Sequence, residues 1–282
     1  MLHQFNLRST FSCSGVVILD ALAPSDLQTA RRLHEDLAHL RAANGAPWVH
    51  YRSVPDRRSL FSALKEIELL CRKGFRPVLH FDGHGTKEKG LNLGSSGEFT
   101  RWTELGDSLL TINTTTRNNL GVVMAACYGL YQMDAVDIEK PCPYNFLIAP
   151  PEEVPAGFID DRMRELYNTL FRTRSLVRAV TCLDSKFIQF HAESFFCLVF
   201  ARYLKHMCAG RVAAERNDRF LTQAVHEGFA PNRDRRRELR KVFKHLIKRP
   251  EPQFYRMSRK FLHGQRSVRY EDLESFVRAR NA

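Results

Sequence analysis

Apolar residues follow two alternating patterns along the first two thirds of the chain. Short apolar runs, typical of buried strands, alternate with stretches in which apolar residues recur every three or four positions, as on one face of a helix. The predicted strands are residues 16–19, 48–54, 77–81, 120–126, 144–149 and 176–183. The predicted helices lie between residues 24 and 40, 56 and 74, 100 and 112, and at 160–172 and 187–207. This alternation predicts an α/β fold of three layers, with a mostly parallel central sheet flanked by helices.

The pattern changes after Gly210. Residues 213–225 and 234–248 have helical periodicity, and Gly and Pro interrupt the chain between them. We therefore expect an α/β domain over residues 1–210 and a C-terminal helical appendage over residues 211–282.

The appendage is strongly basic. The chain has a net charge of +12, and residues 233–249 alone contain nine Lys or Arg. Such a helix either presents a solvated face or docks an acidic partner. Nucleic acid is a less favoured partner because no aromatic residues are interleaved with the charges.

Several function classes are disfavoured by composition. Seven scattered cysteines, several of them in apolar stretches, are typical of reduced thiols rather than of a disulfide framework. We find no signal-peptide pattern and no apolar run near 18 residues, so we expect a cytoplasmic protein without a membrane span. No glycine-rich nucleotide motif occurs, and His84, Cys127 and Cys142 lack the spacing of a metal site. We expect no cofactor and no metal.

Two segments carry the candidate chemistry. Residues 78–85 read Val-Leu-His-Phe-Asp-Gly-His-Gly, and residues 122–129 read Val-Val-Met-Ala-Ala-Cys-Tyr-Gly. Each is a buried run that ends in a reactive side chain beside glycine. Because parallel strands end at the same edge of a sheet, we expect His84, Cys127 and the loop that follows residue 149 to lie at one edge.

An imidazole and a thiol at one sheet edge form a minimal cysteine peptidase site. His84 is the candidate base and acid, and Cys127 is the candidate nucleophile. The backbone N–H groups of Gly85 and Cys127 are candidates to bind the oxyanion. The alternative is that Cys127 is a small core residue and His84 a turn residue.

These segments resemble those of caspase-like cysteine peptidases, the group that contains caspases, metacaspases and bacterial CHAT-type proteases. The shared features are a His-Gly at one strand end and an Ala-Cys-x-Gly at the next, with His84 lying 43 residues before Cys127. The resemblance covers roughly residues 14–205 and implies a metal-independent endopeptidase. Caspases have Gln where this chain has Ala125, which argues against specificity for aspartate. The segment between Gln132 and Tyr144 is too short to resemble a maturation linker.

The remaining site candidates surround this edge. We expect Asp82 and Ala125 to contact substrate, together with acidic residues of the loop and helix after residue 149: Glu153, Asp160 and Asp161. The alternatives for Asp82 are that it orients the imidazole or is a structural turn acid. Carboxylates there favour a basic residue before the scissile bond, whereas Arg162 favours an acidic one. Asp160 or Asp161 instead caps the following helix in the alternative interpretation.

Two functions follow as hypotheses. The first is a cysteine endopeptidase that cleaves a protein substrate through His84 and Cys127. The resemblance implies that the substrate is a partner such as a gasdermin-like pore former in bacterial antiviral defence. The second is a catalytically silent regulatory or binding module that docks an acidic partner through the basic C-terminal region.

Overall fold

The chain divides into two compact units. The computed structural model describes residues 11–207, 210–230 and 232–279. One unit spans Thr10–Ala192 and is here called the α/β unit; the other includes Glu193–Ala282 and is called the helical unit. The division falls before the long apolar helix, whereas we expected it at residue 210.

The α/β unit alternates strands and helices, as its sequence pattern predicts. Its elements in chain order are β1 (Gly15–Asp20), α1 (Thr29–Leu37), β2 (Val49–Ser53), α2 (Arg57–Arg72), β3 (Pro77–Asp82), β4 (His84–Thr86), β5 (Gly90–Leu93), β6 (Glu98–Thr100), α3 (Trp102–Thr116), β7 (Gly121–Ala125), β8 (Phe146–Ala149), α4 (Ala156–Thr173), α5 (Leu176–Ala179) and β9 (Ile188–His191). Asp56 caps α2, because its side chain accepts a hydrogen bond from the Ser59 amide.

A six-stranded sheet forms the centre of this unit. Its strand order is β2-β1-β3-β7-β8-β9, and every neighbouring pair is parallel except β8 with β9. The register of the middle pair sets Asp82, the last residue of β3, opposite Ala125, the last residue of β7. The carboxyl ends of β1, β3, β7 and β8 therefore lie at one edge, which confirms the predicted arrangement.

Helices cover both faces of the sheet, because strands β1, β3, β7 and β8 are buried along their whole length. Side chains such as Val16, Ile18 and Val78 share one buried cluster with the apolar faces of α1 and α4. The intervening residues, such as Val17 and Leu79, are also buried, and α2 and α3 pack against each other outside that cluster. The α/β prediction is confirmed, and the arrangement is consistent with three layers.

The sixth strand was misplaced in the sequence prediction. Residues 176–183 form α5 and a following 3₁₀ turn, since the Ser175 hydroxyl accepts a hydrogen bond from the Arg178 amide and starts a helix. The strand is instead β9, within residues that we predicted to begin a long helix. It pairs antiparallel with β8 at the edge of the sheet.

A second, three-stranded antiparallel sheet stands beside the carboxyl edge of β3. It has the order β4-β5-β6, and β5 and β6 form a glycine-flanked hairpin. Its first strand begins at His84, which pairs with Asn92. His84 therefore lies in a strand rather than in a simple turn.

The helical unit consists of α6 (Ala192–Met207), α7 (Gly210–His226), α8 (Arg233–Lys248), α9 (Glu251–Phe261) and α10 (Tyr270–Ala279). The predicted helices 213–225 and 234–248 are confirmed as α7 and α8. Phe254 lies at the centre of an aromatic cluster with Phe196, Phe200 and Tyr270. The buried Glu193 carboxylate accepts hydrogen bonds from the backbone and hydroxyl that precede α10, and so joins α6 to that segment.

In the part of the chain that the structure describes, every helix is too short or too polar to traverse a lipid bilayer.

Candidate active site at the carboxyl edge of the sheet

His84 and Cys127 follow the ends of two adjacent parallel strands. Asp82 and Ala125 are paired across β3 and β7, and each reactive residue comes two positions later in its segment. The Gly83 amide donates to the Ala125 carbonyl at 3.5 Å, so the pairing continues past the end of β3. The sheet register therefore brings the imidazole and thiol segments side by side.

Gly85 makes the closest approach between the two segments. A Cβ atom placed on Gly85 would lie 2.2 Å from the carbonyl oxygen of Cys127 and 3.3 Å from the Trp102 ring. Only glycine fits this contact without a movement of backbone. The glycine after the histidine is thus required by the packing of the two strand ends against each other.

His84 has an acidic partner that the sequence analysis did not identify. Its Nε2 atom lies 3.1 Å from Oδ2 of Asp26, and the imidazole is more exposed (59%) than the carboxylate (25%). The Asp26 carboxylate also accepts the Ala23 amide at 2.8 Å, while the Gln28 side chain donates to the Ala23 and Asp26 carbonyls. These bonds hold Asp26 in place beside the imidazole.

The Cys127 thiol lies against the loop that follows β8. Its Sγ atom accepts the Val154 amide at 3.5 Å and lies 3.9 Å from the Val154 carbonyl oxygen. The next residue, Tyr128, has a left-handed backbone (φ +60°), which is uncommon for a residue with a side chain. Its amide donates to the Glu152 carbonyl at 3.2 Å, so the loop is joined to the segment that carries the thiol.

A partly charged wall, formed by Tyr128, Glu153 and Lys87, lies beside the thiol. The Tyr128 hydroxyl donates to the Glu153 carboxylate at 3.2 Å, and the Lys87 ammonium lies 5.0 Å from the centre of the Tyr128 ring. Desolvation, followed by the charge of Glu153, raises the pKa of Tyr128. Tyr128 therefore remains a neutral hydrogen-bond donor at neutral pH.

Among the described residues, no hydrogen bond joins the imidazole of His84 to the thiol of Cys127. His84 is held by Asp26, and Cys127 by Val154. Catalytic hydrogen bonds are often long before substrate binds, so this geometry is compatible with a dyad that closes around a substrate.

Two of the predicted substrate residues are buried. Asp82 accepts a hydrogen bond from the Thr29 hydroxyl at 2.8 Å and lies near the buried His80, and Ala125 is fully enclosed in β7. The expectation that Asp82 and Ala125 contact substrate is at odds with this burial, because the β3–β7 pair carries both side chains into the protein.

The other three predicted substrate residues are accessible. Glu153 is exposed beside Tyr128, Asp160 forms an ion pair with Arg32 at 3.3 Å, and Asp161 is exposed on α4. Neither aspartate caps α4, because the helix begins earlier, at Ala156, with Pro155 as its N-cap. Arg162 is paired with Glu165 and Asp184, which reduces its value as a ligand for an acidic substrate.

The other cysteines differ from Cys127 in their surroundings. Burial raises the pKa of Cys71, Cys142 and Cys197 to about 12. Cys142 is enclosed and contacts the Tyr144 carbonyl, so it does not join His84 and Cys127 in a metal site. Within residues 11–207, 210–230 and 232–279, no group of three or more His, Cys, Asp or Glu is arranged to hold a metal.

The chain matches no protein-family model, and no curated protein is similar to it.

Asp26 was not predicted as a site residue, although the sequence contains a signal for it. Asp26 lies in the loop after β1, and β1 is the parallel neighbour of β3, so this loop also ends at the edge that carries His84. We interpreted Pro24 and Ser25 only as the start of a helix, whereas α1 begins at Thr29. The backbone contacts of Cys127 with Val154 had no sequence signal.

Proposed function

We propose that this protein is a cysteine endopeptidase of the caspase-like type. The observation that carries the proposal is the pairing of β3 with β7, which sets the His84 segment directly against the Cys127 segment. The contact between Asp26 and His84 supports it further, since a carboxylate that orients an imidazole is a recurring part of nucleophilic sites.

The proposed reaction proceeds through a thioester. His84 accepts the thiol proton while Cys127 Sγ attacks the carbonyl carbon of the scissile peptide bond. The N–H groups of Gly85 and Cys127 bind the resulting oxyanion. As the C–N bond breaks, the imidazolium returns its proton to the leaving amine. Water, deprotonated by His84, then attacks the thioester and releases the acid and the thiol.

Asp26 acts as a positioning residue in this scheme. Its contact with Nε2 of His84 fixes the tautomer that carries a proton on Nε2, which leaves Nδ1 as the atom that accepts the thiol proton. Asp26 does not itself contact the reacting atoms.

We further propose that a basic residue precedes the scissile bond. Glu153 is exposed beside the residue that follows the nucleophile, whereas Arg162 is already paired. A carboxylate at this wall favours Lys or Arg through a charge-assisted hydrogen bond. The sequence resemblance adds one substrate to test, a gasdermin-like pore former.

The test is a comparison of cut sites in a denatured protein extract. Wild-type protein is expected to create new N-termini that follow Lys or Arg, and Cys127→Ala and His84→Ala to create none. Cys182→Ala is the matched control, because Cys182 is also half-buried but its thiol contacts the Ala179 and Arg162 carbonyls and not Val154. Equal cleavage by wild type and Cys127→Ala, or no cleavage by either, would contradict the proposal.

The second hypothesis, a catalytically silent module, is favoured by one observation: the imidazole and the thiol each have a different partner. A peptidyl acyloxymethyl ketone probe separates the two hypotheses. If it labels Cys127 in wild type and fails to label it in His84→Ala, the silent module is excluded. If labelling does not depend on His84, the silent module is favoured.

A further inference from the structure

The helical unit contains a groove that the proposed chemistry does not use. Its volume is about 660 Å³, and it lies between the facing sides of α6, α7, α8 and α9. Most of the side chains that line it are apolar or aromatic, and they include Phe220, Phe229, Leu239, Phe243 and Leu246. We call it the α7–α8 groove. Every residue that lines it belongs to the helical unit.

The groove leaves large apolar side chains open to solvent. Phe229 is 66% exposed and Leu246 is 54% exposed, although the same unit buries a cluster of aromatic residues elsewhere. Phe243 contacts Phe220 at a ring-centroid distance of 5.6 Å and forms part of the floor. An apolar recess bordered by polar residues is typical of a binding surface.

The border of the groove is positively charged. Arg235, Arg249 and Arg256 line it, and the one acidic residue among its lining is Glu227, which accepts a hydrogen bond from Gln223. Arg235 is paired with Glu238, whereas Arg249 and Arg256 have no ion pair with any described residue. Two arginines are thus available to an incoming anion beside an apolar floor.

We propose that the α7–α8 groove docks an acidic protein segment that carries large apolar anchor side chains. The anchors cover Phe229, Phe243 and Leu246, and carboxylates pair with Arg249 and Arg256. The wider charge of α8 attracts such a segment from a distance. This site is independent of His84 and Cys127, so it is compatible with either function proposed above.

The apolar floor favours a protein segment over a nucleic acid and over a lipid surface. A nucleic acid backbone would satisfy the arginines but leave the aliphatic part of the floor in water. A lipid surface covers apolar side chains that project from a helix, whereas this floor is recessed between helices. Only a segment with both carboxylates and apolar side chains satisfies both parts of the groove.

The test is a selection from an unbiased 16-residue peptide display library. The bait is the full chain carrying Cys127→Ala, so that no bound peptide is cut. We expect the enriched peptides to be acidic and to contain at least two large apolar residues. Their affinity is measured by fluorescence anisotropy at two salt concentrations. The double variant Arg249→Glu/Arg256→Glu is expected to weaken binding by about tenfold or more, because each lost charge-assisted contact has a large effect.

Matched variants separate the groove from the general charge of the helix. Arg237→Glu/Lys241→Glu changes the net charge equally on exposed positions of α8 that do not line the groove. It should weaken binding much less. Leu246→Ser should weaken binding, whereas Val242→Ser, on the same helix but outside the groove, should not.

Three results would overturn the proposal. They are enrichment of peptides without an acidic bias, equal loss of affinity in the groove variants and their matched controls, and no enrichment at all. Binding of a 20-base-pair DNA duplex or of anionic phosphatidylserine vesicles that is lost in Arg249→Glu/Arg256→Glu would instead assign the groove to nucleic acid or to membrane.

Discussion

The two units of this protein make opposite use of their apolar residues. In the α/β unit, strands such as β1, β3 and β7 are buried along their whole length, and the candidate reactive side chains, His84 and Cys127, come just after the ends of β3 and β7. In the helical unit, aromatic residues form a packed cluster, but Phe229 and Leu246 stay exposed among arginines. The first arrangement presents the candidate imidazole and thiol at one edge, and the second presents an apolar surface bordered by basic residues.

The largest expected difference is in thiol reactivity. Iodoacetamide at pH 7.5 should label Cys127 in the native protein, while Cys71, Cys142 and Cys197 should react about a thousandfold more slowly than ordinary thiols, because burial raises their pKa to about 12. Only the thiolate reacts, and a raised pKa keeps the thiol protonated. These three cysteines should therefore stay unreactive until the pH approaches about 11 to 12. Mass spectrometry of native and unfolded samples measures this.

Cys197 is the informative cysteine for the comparison, because it lies in the helical unit. If Cys197 labels as fast as Cys127 in the native protein, the interior of the helical unit is not closed to solvent. The contrast drawn above would then be wrong.

Removal of an aromatic ring from the helical unit should have the next largest effect. Phe254→Ala deletes a buried ring that contacts four other aromatic side chains, and it should lower the free energy of unfolding by about 3–5 kcal/mol. Phe229→Ala, at an exposed ring of the same unit, should change it by less than about 0.5 kcal/mol. Urea unfolding followed by circular dichroism measures both. Equal effects would mean that the cluster is not packed more tightly than the groove.

The close approach at the site edge gives a smaller stability effect. Gly85→Ala places a methyl group 2.2 Å from the Cys127 carbonyl oxygen, and the resulting shift of backbone should cost about 1–3 kcal/mol. Gly157→Ala is the control, since nothing lies within 4 Å of that position in α4. It should be neutral or stabilising by up to about 1 kcal/mol. If both variants unfold at the wild-type urea midpoint, the two strand ends are not in contact.

The smallest expected effect is that of the positioning carboxylate. Asp26→Asn should lower kcat roughly tenfold, which is less than the 10²–10⁴ of proton transfer itself, and should leave KM nearly unchanged. The substrate is a peptide taken from the cut-site map. Asp107→Asn, at an exposed acid of α3, serves as the control. An increase in KM with unchanged kcat would show that Asp26 contacts substrate rather than orienting His84.

The central sheet could be predicted from the sequence because its signals are local. Apolar runs such as residues 77–81 and 120–126 are typical of the buried strands of a parallel sheet. The wrong prediction at residues 176–183 has a local cause as well. The β-branched residues of this segment are typical of a strand, but the Ser175 cap stabilises a helix. The edge strand β9 is short, and only its pairing with β8 distinguishes it from the start of α6.

The candidate site could be predicted only in part. His84 and Cys127 were found because each ends an apolar run. Asp26 and Val154 meet them through contacts between distant parts of the chain, and such contacts depend on strand order and register rather than on local pattern. The burial of Asp82 also follows from register, since a shift of one residue would reverse its orientation.

His84 and Cys127 belong to two different sheets. The thiol follows a strand of the central parallel sheet, while the imidazole begins the small antiparallel sheet, which Trp102 holds through a hydrogen bond to the Thr86 carbonyl at 3.0 Å. The position of the thiol therefore depends on the central sheet, whereas the position of the imidazole depends on the pairing of β4 with β5 as well. In the proposed mechanism, a change in the β5–β6 hairpin would displace the imidazole while the thiol keeps its place.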